Sequence, residues 1–276
     1  MQFIKNNILT ILAGAGVITI IVFLIWGSYY MREFVHHFVR EINKERSVLA
    51  APISSMLHYT FNSDGVLSES GSMDESASPY WWLDSGGQLT IQNNAGETVQ
   101  GELPTFSEWR IAYSRSNPTD TDNGYHPQNI FRLITRSAWQ NSSVETKFYI
   151  EKYNESPSPN RNESNGLLHL LRYHDNNNLY YVGIRVDGAA VVKKKLNGLY
   201  SNLAYESVFP GSYNRDTSPF LLPLKNWLEL KSEIWNAPNG IVHITLAMKD
   251  GQNGGWIPLL HAIDDGSTNG PALMAP

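Results

Sequence analysis

Short apolar runs separated by clusters of Asn, Gly and Asp constrain the fold of this chain more than any other feature. Eight runs between residues 86 and 250 have the length and the β-branched and aromatic content of strands: GGQLTIQN, FRLITRSAW, VETKFYIEKY, GLLHLLRYH, LYYVGIRV, AAVVKKKL, WLELKSEIW and GIVHITLAMKD. The separators DNNN, DG, APNG and DGQNGG are typical of turns that close antiparallel hairpins. Because no helical pattern intervenes, the sequence predicts an all-β fold, an antiparallel β-sandwich of the jelly-roll type.

The clearest hairpin is LYYVGIRVDGAAVVKKK, residues 179–195. Because side chains alternate across a strand, Tyr180 and Ile184 are expected on one face of its first strand, and Tyr181 and Arg185 on the other. Asp-Gly tolerates the positive φ of a type I′ turn, so the pattern predicts a two-residue connection at 187–188. The three lysines at 193–195 are predicted to be a solvated strand end.

The order of these segments resembles a known superfamily. SGGQLTI, FRLITRSAWQNSSVETKFYI, LLHLLRYHDNNNLYYVGIRVDG and NWLELKSEIWNAPNGIVHITLAMKDG follow the strand rhythm of the concanavalin A-like lectin/glucanase superfamily, including laminin-G-like jelly rolls, over residues 80–275. The resemblance implies a two-sheet sandwich that serves as a lectin, a glycoside hydrolase, a polysaccharide lyase or an adhesive module. Such domains usually close with a further strand, but no such strand is predicted here before GSTNGPALMAP. Either that strand is missing, or a partner is expected to cover the exposed sheet edge.

Residues 8–26, ILTILAGAGVITIIVFLIW, form an apolar run whose only polar side chains are two threonines. At about 1.5 Å per residue the run approaches a bilayer core of about 30 Å, so it predicts a single transmembrane helix. Trp26, Tyr29 and Tyr30 lie where an interfacial aromatic belt is expected. A cleaved signal peptide is the alternative, although the run is longer than a usual signal core and no small-x-small cleavage site follows it.

The segment after the apolar run, YMREFVHHFVREINKER, has helical spacing, with Phe34, Phe38 and Ile42 on one stripe. The stripe is expected to lie on the bilayer or to contact another protein. The boundaries predicted for the chain are 1–29 for the tail and transmembrane helix, 30–50 for this amphipathic juxtamembrane helix, 51–79 for a loop-rich linker and 80–276 for the β-sandwich. The Lys/Arg count around the span favours a cytoplasmic sandwich. Because the fold is commoner outside cells, we expect it on the extracytoplasmic side of the membrane.

Charge and cysteine content exclude several functions. Of 21 Lys and Arg and 26 Asp and Glu, 16 and 23 respectively fall after residue 50, so the predicted domain is mildly acidic and no nucleic-acid partner is expected. The absence of cysteine excludes disulfides, thiolate metal sites and a cysteine nucleophile. No cofactor motif occurs, because the chain has no P-loop, dinucleotide fingerprint or HExxH zinc pattern. Sequence alone therefore predicts no cofactor.

The strand WLELKSEIW carries the clearest cluster of candidate binding residues. Period-two alternation places five of them on one face: Trp227, Glu229, Lys231, Glu233 and Trp235. Two carboxylates four residues apart on a strand are separated by about 13 Å. Retaining glycosidases need about 5 Å between their acids and inverting enzymes about 6.5–9.5 Å. The strand therefore supplies no hydrolytic pair unless a neighbouring strand contributes a second acid.

The acidic loop NPTDTDNG contains the weak calcium candidates Asp120 and Asp122. Oxygen ligands in a turn can hold calcium, but the loop lacks the glycine and the final glutamate of an EF-hand. A solvated turn is the favoured interpretation. His169 and His243 fall inside strands and are expected to be hydrogen-bonded sheet residues rather than metal ligands.

These patterns favour binding over catalysis. Besides the strand cluster, Trp81 and Trp82 are candidate contact residues, because aromatic side chains stack on sugars or anchor protein interfaces. The leading hypothesis is a non-catalytic, single-pass membrane-anchored module, an accessory or stabilising subunit of a larger membrane complex. The alternative is a carbohydrate-binding envelope module, and the second alternative is a glycoside hydrolase or polysaccharide lyase. The expected partners are the lipid bilayer, other membrane subunits and a glycan.

Overall fold

A computed structural model describes residues 56–153, 155–249 and 254–275 of the chain. The predicted transmembrane helix, its aromatic belt and the juxtamembrane stripe lie outside these residues and stay predictions. Among the helices of the described ranges, none has the length and apolarity needed to cross a bilayer.

The first part of the described chain forms two small antiparallel sheets. Strands β1 (Gly65–Ser68), β3 (Gln88–Gln92) and β4 (Ala95–Thr98) pair in the order β1-β3-β4, and β2 (Trp81–Ser85) pairs with β5 (Arg132–Thr135). Helix α1 (Glu108–Ser116) and a 3-10 helix (Pro127–Ile130) separate β4 from β5. The predicted loop-rich linker therefore contains a paired strand, β1, and a helix interrupts the pattern that was expected to be all strand.

The remainder forms the predicted sandwich of two four-stranded antiparallel sheets. The back sheet has the order β10-β9-β8-β7, from strands β7 (Gly166–Asp175), β8 (Asn178–Arg185), β9 (Ala189–Leu196) and β10 (Leu199–Ser207). The front sheet has the order β13-β12-β11-β6, from strands β6 (Ser142–Tyr149), β11 (Trp227–Asn236), β12 (Val242–Lys249) and β13 (Trp256–Asp264). Along the chain, β6 forms one edge of the front sheet, β7 to β10 then form the back sheet as a meander, and β11 to β13 complete the front sheet.

The core lies between the two sheets, where alternation turns apolar side chains inward. Leu230 and Ile244 of the front sheet meet Tyr180 and Val182 of the back sheet, and all four are fully buried. The opposite face of the back sheet is also covered, since Leu179 is completely buried there. The central hairpin of the back sheet therefore has buried side chains on both faces.

The turn of this hairpin differs from the prediction. Only Gly188 adopts a positive φ, 79°, and its N–H donates to the carbonyl of Arg185 over 3.0 Å. The connection is a three-residue loop, typical of a type I turn followed by a glycine bulge, so the predicted type I′ turn is wrong. The reason is local: the Asp187 carboxylate accepts hydrogen bonds from Arg185 (2.7 Å) and from the Ala189 N–H (3.1 Å), which hold Asp187 at negative φ.

The prediction of a solvated lysine end is also wrong for Lys194, which is completely buried. This residue continues the inward-facing alternation of β9, and its ammonium group lies 2.9 Å from the Asp264 carboxylate. It also donates to the carbonyls of Thr268 (3.0 Å) and Gly270 (2.6 Å). The buried lysine thereby fastens the segment that follows β13 to the sandwich.

Strand β13 corrects a further prediction. The segment WIPLLHAID pairs with β12 as an edge of the front sheet, so a strand does follow the eight that were predicted. Its pattern is obscured by Pro258, which lies beside a bulge in the pairing with β12. Proline is tolerated at such a position because an edge strand needs fewer N–H donors. The expectation of a missing closing strand therefore loses its basis.

Candidate functional site

Rows of ion pairs cover the outer face of the front sheet, on the face of β11 that the sequence predicted. Lys147 on β6 lies directly opposite Glu229, with Nζ 3.7 Å from the carboxylate, and Lys249 on β12 approaches the same carboxylate to 3.2 Å. Lys231 lies 3.2 Å from Glu145 and 3.4 Å from Glu233. Opposite charges thus face each other across three neighbouring strands, which stabilises this register.

The two acids of β11, Glu229 and Glu233, do not form a pair for hydrolysis. Glu145 on β6 is the cross-strand acid near Glu233, and Lys231 contacts both carboxylates. Glu229 and Glu233 each lie against a lysine, and about 13 Å of strand separates them. Over the part of the chain that the structure describes, no three His, Asp or Glu side chains are grouped so as to hold a metal ion. The face offers charged hydrogen-bonding groups, which suits recognition.

Two aromatic rings stand exposed at one end of this face. Trp227 and Tyr149 are cross-strand neighbours, 54% and 43% exposed, with ring centroids 5.2 Å apart and planes tilted by 51°. Glu229, with Lys147 and Lys249 around it, lies two residues along the strand. We call these five residues the aromatic end of the front sheet. It combines apolar ring surface with charged groups that can donate or accept hydrogen bonds.

Trp235 lies at the other end of β11 in a different environment. Its ring is only 6% exposed and stacks on His243 (centroids 5.2 Å apart) and His261 (6.0 Å). His243 Nδ1 and His261 Nε2 are 3.0 Å apart, so the predicted hydrogen-bonded role of His243 is confirmed. Eight residues of strand span about 26 Å, so Trp235 and Trp227 do not form one platform.

Trp81 and Trp82 lie on strand β2 and contact residues of the small sheets and of β7. Trp81 stacks on Phe61, with centroids 6.4 Å apart, and both rings pack against the small apolar core of Leu67, Leu83 and Leu89. Trp82 donates from Nε1 to the Ser70 carbonyl over 3.0 Å and meets the ring of Tyr173 on β7 edge-on. No contact among the described residues joins either tryptophan to the aromatic end of the front sheet.

The calcium candidates turn toward separate partners. An Asp120 carboxylate oxygen accepts from the side-chain amide of Asn160, and the Asp122 carboxylate lies 2.8 Å from His126 Nδ1. Both aspartates are therefore hydrogen-bonded to protein side chains, and the loop that carries them borders an open cavity.

Sequence reasoning missed Tyr149, Lys147 and Lys249 at the aromatic end. For Tyr149 and Lys147 the pairing of β6 with β11 joins segments about eighty residues apart, and no local pattern marks it. Lys249 lies on β12, which pairs with β11 through a short connection, so the predicted APNG turn was an available signal for it. Sequence reasoning also missed His126. The four-residue spacing from Asp122 was an available signal, because one helical or turn-like step brings such residues together.

Comparisons with known proteins leave the family open. No protein-family model matches the chain, and no curated protein matches it. Among solved structures, the fold is similar to carbohydrate-binding module CBM66 from Bacillus subtilis, with 12% identity and a TM-score of 0.39 over 71% of this chain and 83% of that one. A likeness at that score identifies no function, and membership of the concanavalin A-like superfamily stays a prediction.

Proposed function

We propose that this β-sandwich is a non-catalytic module that binds a glycan through the aromatic end of its front sheet. The observation that carries the proposal is the adjacent, exposed pair Trp227 and Tyr149 beside the ion-paired Glu229. The apolar C–H face of a sugar ring packs on an aromatic ring, and its hydroxyls hydrogen-bond to charged neighbours. Trp227 and Glu229 together provide both kinds of contact on one strand face.

The surroundings of Glu229 favour binding over bond cleavage. Its carboxylate lies between the ammonium groups of Lys147 (3.7 Å) and Lys249 (3.2 Å). A carboxylate at this position can accept hydrogen bonds from sugar hydroxyls, and about 13 Å of strand separates it from Glu233, which is too far for a hydrolytic pair. Glycoside hydrolysis is therefore not the function that we propose.

The hypothesis of an accessory subunit in a membrane complex stays a prediction. Its motivation lies in the apolar run at residues 8–26 and the stripe of Phe34, Phe38 and Ile42, which fall outside the described residues. The hypothesis also rested on the expectation that a closing strand is missing, but β13 pairs with β12 at the edge of the front sheet. Membrane anchoring and an extracytoplasmic position are compatible with glycan binding, since a module tethered in the envelope would meet glycans there. Copurification in mild detergent would reveal a stable partner subunit.

A glycan array probed with the detergent-solubilised full chain tests the proposal. Trp227→Ala should weaken binding at least tenfold, because it removes the main stacking surface. Tyr149→Phe keeps the ring and should bind like the wild type, whereas Tyr149→Ala should bind more weakly. Tyr205→Ala is the matched control, since Tyr205 is 52% exposed on the back sheet. An array without any bound glycan, or equal binding by Trp227→Ala, would refute the proposal.

A further inference from the structure

An open cavity of about 740 Å³ lies at the turn that follows helix α1, away from the residues of the front sheet. It is lined by six residues of the segment 118–126, by residues 157–159 and by Glu102. The aromatic end of the front sheet contributes nothing to it. The cavity is therefore a separate candidate site, independent of the proposed glycan surface.

The first wall has a backbone conformation that few sequences adopt. Asp122, Asn123 and Gly124 follow one another with φ values of 52°, 56° and 84°. Consecutive left-handed residues are uncommon and persist where surrounding contacts hold them. Here the completely buried Thr121 supplies those contacts, because its hydroxyl accepts from the Gly124 N–H (3.1 Å) and its carbonyl from the His126 N–H (2.9 Å).

Arg215 contacts each of the three residues 157–159 that form the other wall. Arg215 donates to the carbonyls of Pro157 (3.3 Å), Ser158 (2.8 Å) and Pro159 (3.4 Å). Two rigid proline rings and a held backbone therefore face the turn. A cavity whose walls are already ordered loses little conformational entropy when a ligand enters.

Two carboxylates and one imidazole are the ionisable groups of the cavity lining besides the Tyr125 phenol. His126 Nδ1 lies 2.8 Å from the Asp122 carboxylate, and the two side chains are only 10% and 8% exposed. His126 Nε2 makes no hydrogen bond within the described part of the chain, so this nitrogen can hydrogen-bond to a ligand. The exposed Glu102 carboxylate adds a negative charge at the rim.

Two arginines near the cavity already have protein partners. Arg110 stacks on the Tyr125 ring, 3.5 Å from its centroid, and donates to the Leu103 carbonyl over 3.1 Å. Arg215 is held by the three carbonyls of the opposite wall. A ligand that brings its own positive charge and several donors would complement the two carboxylates and the imidazole.

We propose that this cavity binds a protonated amine that also carries hydroxyl groups, the chemistry of an amino sugar. The ammonium group would lie between Glu102 and Asp122. A ligand hydroxyl would hydrogen-bond to His126 Nε2, and the ligand's apolar face would rest on the rings of Pro157 and Pro159.

Calorimetric titration of the full chain with glucosamine, glucose and N-acetylglucosamine near neutral pH tests this site. Glucosamine should bind saturably and at least tenfold more tightly than the two neutral sugars. Glu102→Gln should weaken glucosamine binding severalfold, and it leaves the fold intact because this exposed side chain makes no hydrogen bond among the described residues. Asp122→Asn should weaken it further.

Two controls separate this site from the glycan surface. Glu97→Gln removes a partly exposed acid on β4, and Trp227→Ala alters the aromatic end of the front sheet; both variants should bind glucosamine like the wild type. Equal affinity for glucose and glucosamine, or unchanged binding by Glu102→Gln, would overturn the proposal. If Trp227→Ala abolished glucosamine binding, the ligand would be at the front sheet and the inference would be wrong.

Discussion

The ion pair Lys194–Asp264 inside the sandwich and the pair Lys147–Glu229 on its front face consist of the same chemical groups in opposite surroundings. The buried pair has both side chains at 0% exposure, whereas the surface lysine is 65% exposed and its glutamate 17%. Removing one partner of a buried pair leaves an uncompensated charge in the core, while water screens the loss of a surface partner. The inner polar groups therefore hold the fold together, and the outer ones are available for recognition.

Breaking the buried pair should have the largest effect. Lys194→Met leaves Asp264 without its counter-charge and the carbonyls of Thr268 and Gly270 without their donor. We expect the free energy of unfolding to fall by about 3–5 kcal/mol, measured by denaturant titration with tryptophan fluorescence.

The neighbouring lysine provides the matched control for that experiment. Lys195→Met makes the same chemical change at a partly exposed side chain and should cost less than about 1 kcal/mol. Adding Asp264→Asn to Lys194→Met should restore part of the lost stability, because it removes the unpaired charge. Equal losses for the two lysine variants would mean that burial does not distinguish the pairs.

The two tryptophans of β11 extend the comparison to aromatic side chains. Trp235→Ala empties a buried stack on His243 and His261 and should cost about 3 kcal/mol. Trp227→Ala changes an exposed ring and should cost less than about 1 kcal/mol while weakening glycan binding. Thermal unfolding of both variants beside the glycan array separates a structural from a binding role. Strong destabilisation by Trp227→Ala would show that its ring supports the fold instead.

His169 shows how a buried polar group links stability to pH. Desolvation lowers the pKa of His169 to about 4 from its ordinary 6.5, and its Nδ1 lies 2.8 Å from Ser232 Oγ in the core. Between pH 6.5 and about 4 the unfolded chain therefore binds a proton that the folded chain does not. Stability should fall as the pH falls through this window, by about 2 kcal/mol between pH 7 and 5.

Unfolding titrations at pH 7 and 5 measure that slope. His169→Gln removes the titrating group, so its stability should change less over the same interval than that of the wild type. A wild-type slope that survives this substitution would assign the acid sensitivity to other groups. The predicted role of His169 as a hydrogen-bonded sheet residue is confirmed by its contact with Ser232.

The two kinds of polar group also differ in how well sequence reveals them. Alternation placed Trp227, Glu229 and Lys231 on one strand face, because the period of a strand is a local property. The same pattern predicts a solvated side chain for Lys194. Its partner Asp264 lies seventy residues away, and no local signal marks the pair. The difference between Trp227 and Trp235 likewise depends on their cross-strand neighbours. Sequence therefore predicts which residues share a face, but pairing between distant strands decides which of them are buried.

The smallest expected effect is the most direct test of the outer face. Lys147→Ala removes one of the two lysines beside Glu229, and because its side chain is 65% exposed the free energy of unfolding should change by less than about 0.5 kcal/mol. Glycan binding should nevertheless weaken severalfold if Lys147 donates to a sugar hydroxyl, and added salt should reduce the difference from wild type. A loss of stability without a loss of glycan binding would show instead that the pair Lys147–Glu229 stabilises the sheet and does not take part in recognition. Since Lys249 still lies 3.2 Å from Glu229 in this variant, the carboxylate keeps a counter-charge, and any change in affinity reports on Lys147 itself.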